Sequence, residues 1–334
     1  MNARERVIAS LQHRQPDKTP YHLGFTHKVR EAMASYYGDA AFEARLGNAL
    51  SVLHWTPQDA WREVAPDIWQ DRFGVQWNRS IDKDIGVVCN RLVTPANLDA
   101  YVFPDLDDPA GFAQWNERIA AGPECFWVAN YGFSLYERAW TLAGMEEVMA
   151  AMIIDKPFAN RLLDRCLEFN LRLIERACAF PIQAMMFGDD WGQQRGLQMG
   201  PRLWREFIKP RIREMYGLVK AKGKYVFIHS CGKVDEVFDD LIDCGLDVFN
   251  PFQPEVIDVY DAKRRYGDRL SFYGGISTQA TLPFGTAQQV RDEVKRLLDE
   301  VGRGGGYIAA PSHDIPAGSK PENIAAMIEV LQNQ

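Results

Sequence analysis

The chain has 334 residues, of which 46% are hydrophobic, 12% aromatic and 25% charged, the balance of a globular protein and not of a disordered one. Its 38 basic and 45 acidic residues leave a net charge of −7, which argues against a nucleic-acid binder with a basic face. No stretch approaches the roughly 18 apolar residues of a membrane span, the opening "MNARERVIASLQHRQPDKTP" has no apolar signal core, and the six cysteines lie scattered without a CxxC pair, so reduced thiols in the cytoplasm are expected.

In chain order, "TPYHLGF" (19–25), "IGVVCN" (85–90) and "CFWVANYG" (125–132) read as three early strands. Between the first two lies an irregular stretch carrying Trp55, Trp61, Trp69 and Trp77. This insertion, about 30–80, offers either a lid or dimer surface or a set of tryptophans filling a core. The second half is regular. "AMMFGDD" (184–190) is a strand, and the helix after it shows Leu203, Phe207, Ile212, Met215, Tyr216 and Val219 at helical spacing, with Gly223 as a stop. Four further strand–helix pairs follow, with strands "KYVFIHS", "LDVFNPF", "LSFYGGIS" and "GGYIAAPSH". Five such units with short connections predict a parallel sheet. No GxGxxG follows the first strand, so a dinucleotide-binding sheet loses ground. With the three early strands the count is eight, and the expected fold is a single α/β domain over 1–334, a (β/α)8 TIM barrel with an aromatic-rich N-terminal insertion.

A (β/α)8 barrel carries its chemistry at the C-terminal ends of its strands. The polar residues expected there are His22 and His27 early in the chain, Asp189, Asp190 and Gln193 around the fourth strand, His229 and Cys231 after the fifth, Asn250 after the sixth, Tyr273 after the seventh, and His313 after the eighth. His229, Cys231 and His313 suit Zn²⁺, which takes imidazole nitrogen and thiolate and keeps one position open in catalytic sites. The spacing alone leaves a second account standing, in which the pair are ordinary hydrogen-bonded residues at the barrel rim. Adjacent aspartates after a strand are likewise either catalytic or helix-capping.

The block "MMFGDDWGQQRGLQMGPRLWREFIKPRIREMYGLVKAKGKYVFIHSCG" resembles the core of the uroporphyrinogen decarboxylase family, which includes cobalamin-dependent methyltransferases. The tail "YGGISTQATLPFGTAQQVRDEV" with "GGGYIAAPSHDIPAGSKPENIAAMIE", and the opening "RERVIASLQHRQPDKTPYHLGF", strengthen the resemblance. It implies the same barrel, usually as one domain and often as a homodimer. Decarboxylases of the family bind the substrate's carboxylates with arginines in the loop after the first strand. Here that loop reads "GFTHKVREAM", with only Lys28 and Arg30, so uroporphyrinogen is not the expected substrate.

The methyltransferase branch has an HxC after the fifth strand and a cysteine after the eighth, which together bind zinc. The resemblance therefore implies His229 and Cys231 as metal ligands. It places His313 where that branch has its third-ligand cysteine, a departure that leaves one thiolate and a stronger Lewis acid suited to an oxygen substrate. The implied function is zinc-dependent methyl transfer between a small methylated substrate or acceptor and a corrinoid (cobalamin) carried on a separate protein, since no DxHxxG corrinoid motif occurs in this chain. Asp190 or Asp189 would tune the metal or relay a proton. Tyr273 and Asn250 would position substrate, together with His22, His27 and Gln193. Two alternatives are a metal-independent decarboxylase of a small acid and a non-catalytic binding protein on the same barrel.

Overall fold

A computed structural model describes residues 1–55 and 60–334; residues 56–59, within the tryptophan-rich stretch, lie outside the described residues. The strands in chain order are β1 (Leu50–His54), β2 (Trp61–Ala65), β3 (Ile68–Asp71), β4 (Gln76–Asn78), β5 (Val87–Val88), β6 (Phe126–Tyr131), β7 (Ala184–Gly188), β8 (Gly192–Gln193), β9 (Gly196–Leu197), β10 (Tyr225–His229), β11 (Val248–Phe252), β12 (Ser271–Ile276) and β13 (Tyr307–Pro311). Seven of them form one sheet in the order β1-β6-β7-β10-β11-β12-β13, and every pairing in it is parallel. Parallel neighbours need long crossovers, and here helices supply them. Lys156–Cys178 returns the chain between β6 and β7, and Lys209–Ala221 between β7 and β10.

The five strands expected in the second half are all present. The first half departs from expectation. "IGVVCN" is not part of the parallel sheet: Val87–Val88 is the edge of an antiparallel sheet β2-β3-β4-β5, and Val87 is 69% exposed. The strand missing from the sequence reading is β1, which lies inside the stretch expected as insertion and pairs with β6 from Leu50↔Phe126 to His54↔Asn130. Its five residues include Ser51 and His54, so no apolar run marks it, and only the partner strand defines it. The segment 19–25, expected as the first strand, is not a continuous strand: it makes two isolated parallel bridges, Tyr21 with Ala309 and Phe25 with Ile315. The His22 N–H donates to the Ala309 carbonyl (3.0 Å), and the Ala49 N–H donates to the Tyr21 carbonyl (2.8 Å), so the segment bonds to both β13 and the approach to β1. Trp55 and Trp77 are buried in the core, whereas Trp61 is 43% exposed beneath the Arg79 guanidinium.

Alternation along the strands divides the core. Phe126, Val128, Ala184, Phe227, Val248 and Ile308 form one apolar cluster with Val7 and Leu11 of the helix Ala3–Leu11. The intervening residues, among them Trp127, Phe187, Ile228 and Phe249, join the larger cluster with the surrounding helices. Ser10 tethers the N-terminal helix to the start of β13, its Oγ donating to the Tyr307 carbonyl (2.8 Å) and accepting from the Tyr307 N–H (3.0 Å). That helix thereby covers the N-terminal end of the sheet. Among the described residues, no helix is long and apolar enough to cross a membrane.

Candidate metal centre

The turn after β10, "HSCG", is held in place by its neighbours on both sides. From the β7 side, the Asp189 N–H donates to the His229 carbonyl (2.9 Å), the Trp191 N–H to Ser230 Oγ (3.0 Å), and Asp190 Oδ1 accepts from the Cys231 N–H (2.8 Å). From the β11 side, the Ser230 N–H donates to the Asn250 carbonyl (2.7 Å) and Gln253 Oε1 accepts from the Gly232 N–H (2.6 Å). Two glycines let the hairpin β8–β9 lie against this turn. A Cβ on Gly232, which has φ +86°, would stand 2.5 Å from the Gln193 nitrogen, and one on Gly192 would stand 2.5 Å from the Cys231 carbonyl oxygen. No side chain fits at either position.

This packing brings the three expected ligands together. One ligand atom each from His229, Cys231 and His313 lies within 4.8 Å of the others. Cys231 Sγ is 3.3 Å from His229 Nε2, and the two imidazole rings are 5.7 Å apart at 71°. Asn250 decides which nitrogen of His229 is available. Its Nδ2 donates to the Tyr273 carbonyl (2.9 Å), which turns Oδ1 toward His229 Nδ1 at 2.6 Å. Nδ1 must then carry the hydrogen, and the Nε2 lone pair faces Cys231. Asn250 is 7% exposed and was expected to touch substrate; in the structure its polar atoms are engaged with His229 and Tyr273.

Carboxylates stand behind the thiol. Asp189 is 1% exposed, and it accepts from the Tyr136 N–H (3.1 Å), the Glu137 N–H (2.7 Å) and Trp191 Nε1 (2.6 Å). It thus caps the helix Tyr136–Ala143 from a distant part of the chain, the capping role open to an adjacent aspartate pair, realised on a different helix. Burial outweighs those three donors and pushes its carboxyl up to about 7. Glu137, which the sequence reading did not single out, is 8% exposed, and burial with the nearby Asp190 and Asp189 raises its carboxyl well above the ordinary range. Burial and then Asp190 and Glu137 push the Cys231 thiol up. An acidic surround that disfavours a bare thiolate favours a cation placed beside it, and a bound divalent ion reverses the thiol's preference outright.

The other expected residues divide between the mouth and the interior. A cavity of about 470 Å³ is lined by Gln193, Cys231, Gln253, Thr278, His313 and Asp314, among others. Asp190 has a 34% exposed side chain with Oδ1 3.9 Å from His229 Nε2. Tyr273 packs in the interior with its ring 6.2 Å from that of His22, and neither lines that cavity. Burial lowers the His22 imidazole to about 4. His27 is exposed at the start of the helix His27–Tyr37, where it meets Glu31 across one turn at 3.4 Å, and it too is absent from the cavity wall. Gln253 was missed, although the rule of collecting polar residues at strand ends reaches it three residues beyond Asn250. Glu137 gave no such signal, because a glutamate in a helix is unremarkable until the strand end it packs against is known.

Residues 138–334 match the family described as Uroporphyrinogen decarboxylase (URO-D). Among individual relatives, a protein named methylcobamide:CoM methyltransferase MtaA from Methanosarcina barkeri is 29% identical over 130 residues, 39% of this chain and 36% of that protein. The chain thus spans about a third of the length of that relative. A uroporphyrinogen decarboxylase from Chromohalobacter salexigens is 26% identical over 247 residues, covering 70% of this chain and 67% of that protein. In fold, the chain superimposes on a methyltransferase from Methanosarcina mazei with a TM-score of 0.76 at 19% identity, over 100% of this chain and 99% of the other. The family match takes in more than half of the chain and includes His229, Cys231 and His313; this protein is an enzyme of the uroporphyrinogen decarboxylase (URO-D) family.

Proposed function

We propose that this enzyme is a zinc-dependent methyltransferase that moves a methyl group between a small methylated substrate or acceptor and a corrinoid carried on a separate protein. The observation that carries the reading is the convergence of His229, Cys231 and His313 within 4.8 Å. Zinc bond lengths of about 2.0 Å to nitrogen and 2.3 Å to sulfur in a tetrahedral site set such ligand atoms roughly 3.5 Å apart, and Cys231 Sγ and His229 Nε2 lie at 3.3 Å. The donor set therefore fits the ion. Bound there, zinc would lower the pKa of a substrate thiol or polarise a methyl ether oxygen.

The chain's own groups then divide the remaining work. Asn250 keeps the hydrogen of His229 on Nδ1 and the lone pair of Nε2 toward the ligand position. Asp190, partly exposed and 3.9 Å from that nitrogen, is the group placed to take a proton from the substrate heteroatom or return it. Asp189 and Tyr273 hold the site from behind rather than touching substrate. Gln193, Gln253 and Thr278 line the cavity where a small substrate would sit. The name of the Methanosarcina barkeri relative, a methylcobamide methyltransferase, supports methyl transfer to or from a corrinoid. The corrinoid protein would cover the same mouth. In this reading residues 19–25 are the eighth stave that closes a (β/α)8 barrel.

Elemental analysis tests the reading. Parent protein and a His313→Ala variant are each exposed to zinc and desalted. Near-stoichiometric zinc in the parent and much less in the variant supports the site, and methyl-transfer assays with corrinoid proteins follow. Absence of zinc from both would overturn it.

A further inference from the structure

A second cavity opens at the C-terminal ends of β1 and β6, and its chemistry differs from that of the metal centre. It has a volume of about 250 Å³ and is walled by Arg72, Arg138, Tyr131, Trp61, Phe73 and Phe133, with His54 and Asn130 at the strand ends. Three of its polar groups are donors left over. The Arg72 guanidinium lies 3.5 Å over the Trp55 ring, and its buried Nη1 has no hydrogen-bond partner among the described residues. Arg138 is 5% exposed and lies 3.6 Å over Phe73, with a buried Nε that likewise has none. The Tyr131 hydroxyl, which lies beside the Arg138 guanidinium and interacts with it, is the third, on a side chain 7% exposed.

The acceptors do not balance them. Asp71 is the one carboxylate among the described residues of the wall. It is 3.4 Å from Arg138 Nη1, and it is already occupied by the Phe73 and Val75 N–H groups and by Trp77 Nε1. Burial, and then Arg118, lowers the His54 imidazole, so it adds no charge at neutral pH. Among the described wall residues two guanidiniums face one carboxylate, with Asp108 acting on Arg72 from outside the wall. Buried donors without acceptors cost free energy, and a charged acceptor recovers it. Burial lowers the Arg72 guanidinium to about 10, outweighing the opposing pull of Tyr131, Asp108 and Asp71.

We infer that this cavity is a binding subsite for a small planar organic acid, whose carboxylate is taken by Arg72, Arg138 and Tyr131 and whose body lies among Trp61, Phe73 and Phe133. Planar guanidiniums match a carboxylate's two oxygens, and aromatic walls suit a flat apolar body. The volume is below the usual range for drug-sized ligands, which limits the acid to about one ring. In the sheet β6 and β10 are separated only by β7, and strand spacing puts their ends roughly 10 Å apart. The cavity and the metal centre thus open at the same end of neighbouring strands. That the bound acid is the methyl donor or acceptor rests on the proposed methyl transfer; that the cavity binds an organic anion does not.

Calorimetric titration of the full chain with benzoate, benzamide and inorganic phosphate tests this, run without corrinoid and both with and without added zinc. Saturable benzoate binding is expected, with benzamide at least tenfold weaker and phosphate weaker than benzoate. Arg72→Gln should weaken benzoate about tenfold to hundredfold and Tyr131→Phe, which removes one oxygen and spares the packing, roughly threefold to tenfold. Absence of benzoate binding, equal binding of benzamide, or a folded Tyr131→Phe that binds as the parent does would overturn the subsite. Tighter binding of phosphate would overturn the organic-acid class. Because no methyl transfer is read, failure of the zinc reading leaves these outcomes intact, and failure here leaves the zinc reading intact.

Discussion

Asn250 Oδ1 lies 2.6 Å from His229 Nδ1 while Asn250 Nδ2 donates to the Tyr273 carbonyl, so one side chain fixes both the tautomer and the orientation of the imidazole. Groups in this relation to a metal-binding histidine govern affinity without touching the ion. Asn250→Ala is expected to weaken zinc binding roughly tenfold to hundredfold. Competition with a chromophoric chelator measures it, and unchanged affinity would show that the histidine needs no such orientation.

Asp189 joins the strand end to the start of the helix Tyr136–Ala143 through two accepted hydrogen bonds and takes a third from Trp191 Nε1. Asp189→Ala leaves those donors buried and unpaired, and urea unfolding should show a loss of about 2–4 kcal/mol. The carboxyl is pushed up from 3.8 to about 7 in the folded protein. Over that window the folded state keeps a proton that the unfolded state has released, so this residue makes stability fall as pH rises. The difference between parent and variant should therefore narrow between pH 4 and 7; a gap that widens with pH would contradict the assignment.

His22 contributes with the opposite sign. Its imidazole is lowered from 6.5 to about 4 by burial, so below pH 6.5 the unfolded chain gains a proton that the folded chain refuses. Stability from this residue is full above pH 6.5 and is lost as pH falls toward 4. A His22→Gln variant should lose less stability than the parent between pH 6.5 and 4. Parallel thermal melts across that range decide it, and identical pH profiles would place His22 in water.

Gly232→Ala places a methyl 2.5 Å from the Gln193 backbone nitrogen at a residue with φ +86°. Gly200, at φ +71°, has nothing within 4 Å of the same position. Both variants carry the left-handed strain of about 1–2 kcal/mol, but only Gly232→Ala must also push the hairpin off the ligand turn. A clearly larger fall in Tm, together with reduced zinc content, is expected for Gly232→Ala alone. Equal effects at the two glycines would mean that the close approach is relaxed at little cost.

Much of this was legible from the chain. The five later strands were marked by apolar runs bounded by glycines, because strands buried on both faces need no alternation. The strand-end rule then collected His229, Cys231 and His313, which the structure brings together. It failed where burial on both sides was not written locally. β1 is five residues whose identity as a sheet strand depends on β6, and Val87–Val88 looks like a core strand but forms an exposed edge.

The sequence by itself determined the residue types and the periodic pattern, and with them the parallel sheet, the end of it where polar groups gather, and a donor set suited to zinc. Only the tertiary structure decided what each polar residue does once there. Asp189 and Asp190 are neighbours in the chain, yet the turn after β7 buries one as a helix cap and leaves the other at the mouth near His229. Asn250 faces a histidine, and Glu137 and Arg138 from one helix face two different sites. Such roles depend on which groups stand within about 3–4 Å, a distance set by strands and helices far apart in sequence, and hydrogen bonding and desolvation act only at that range.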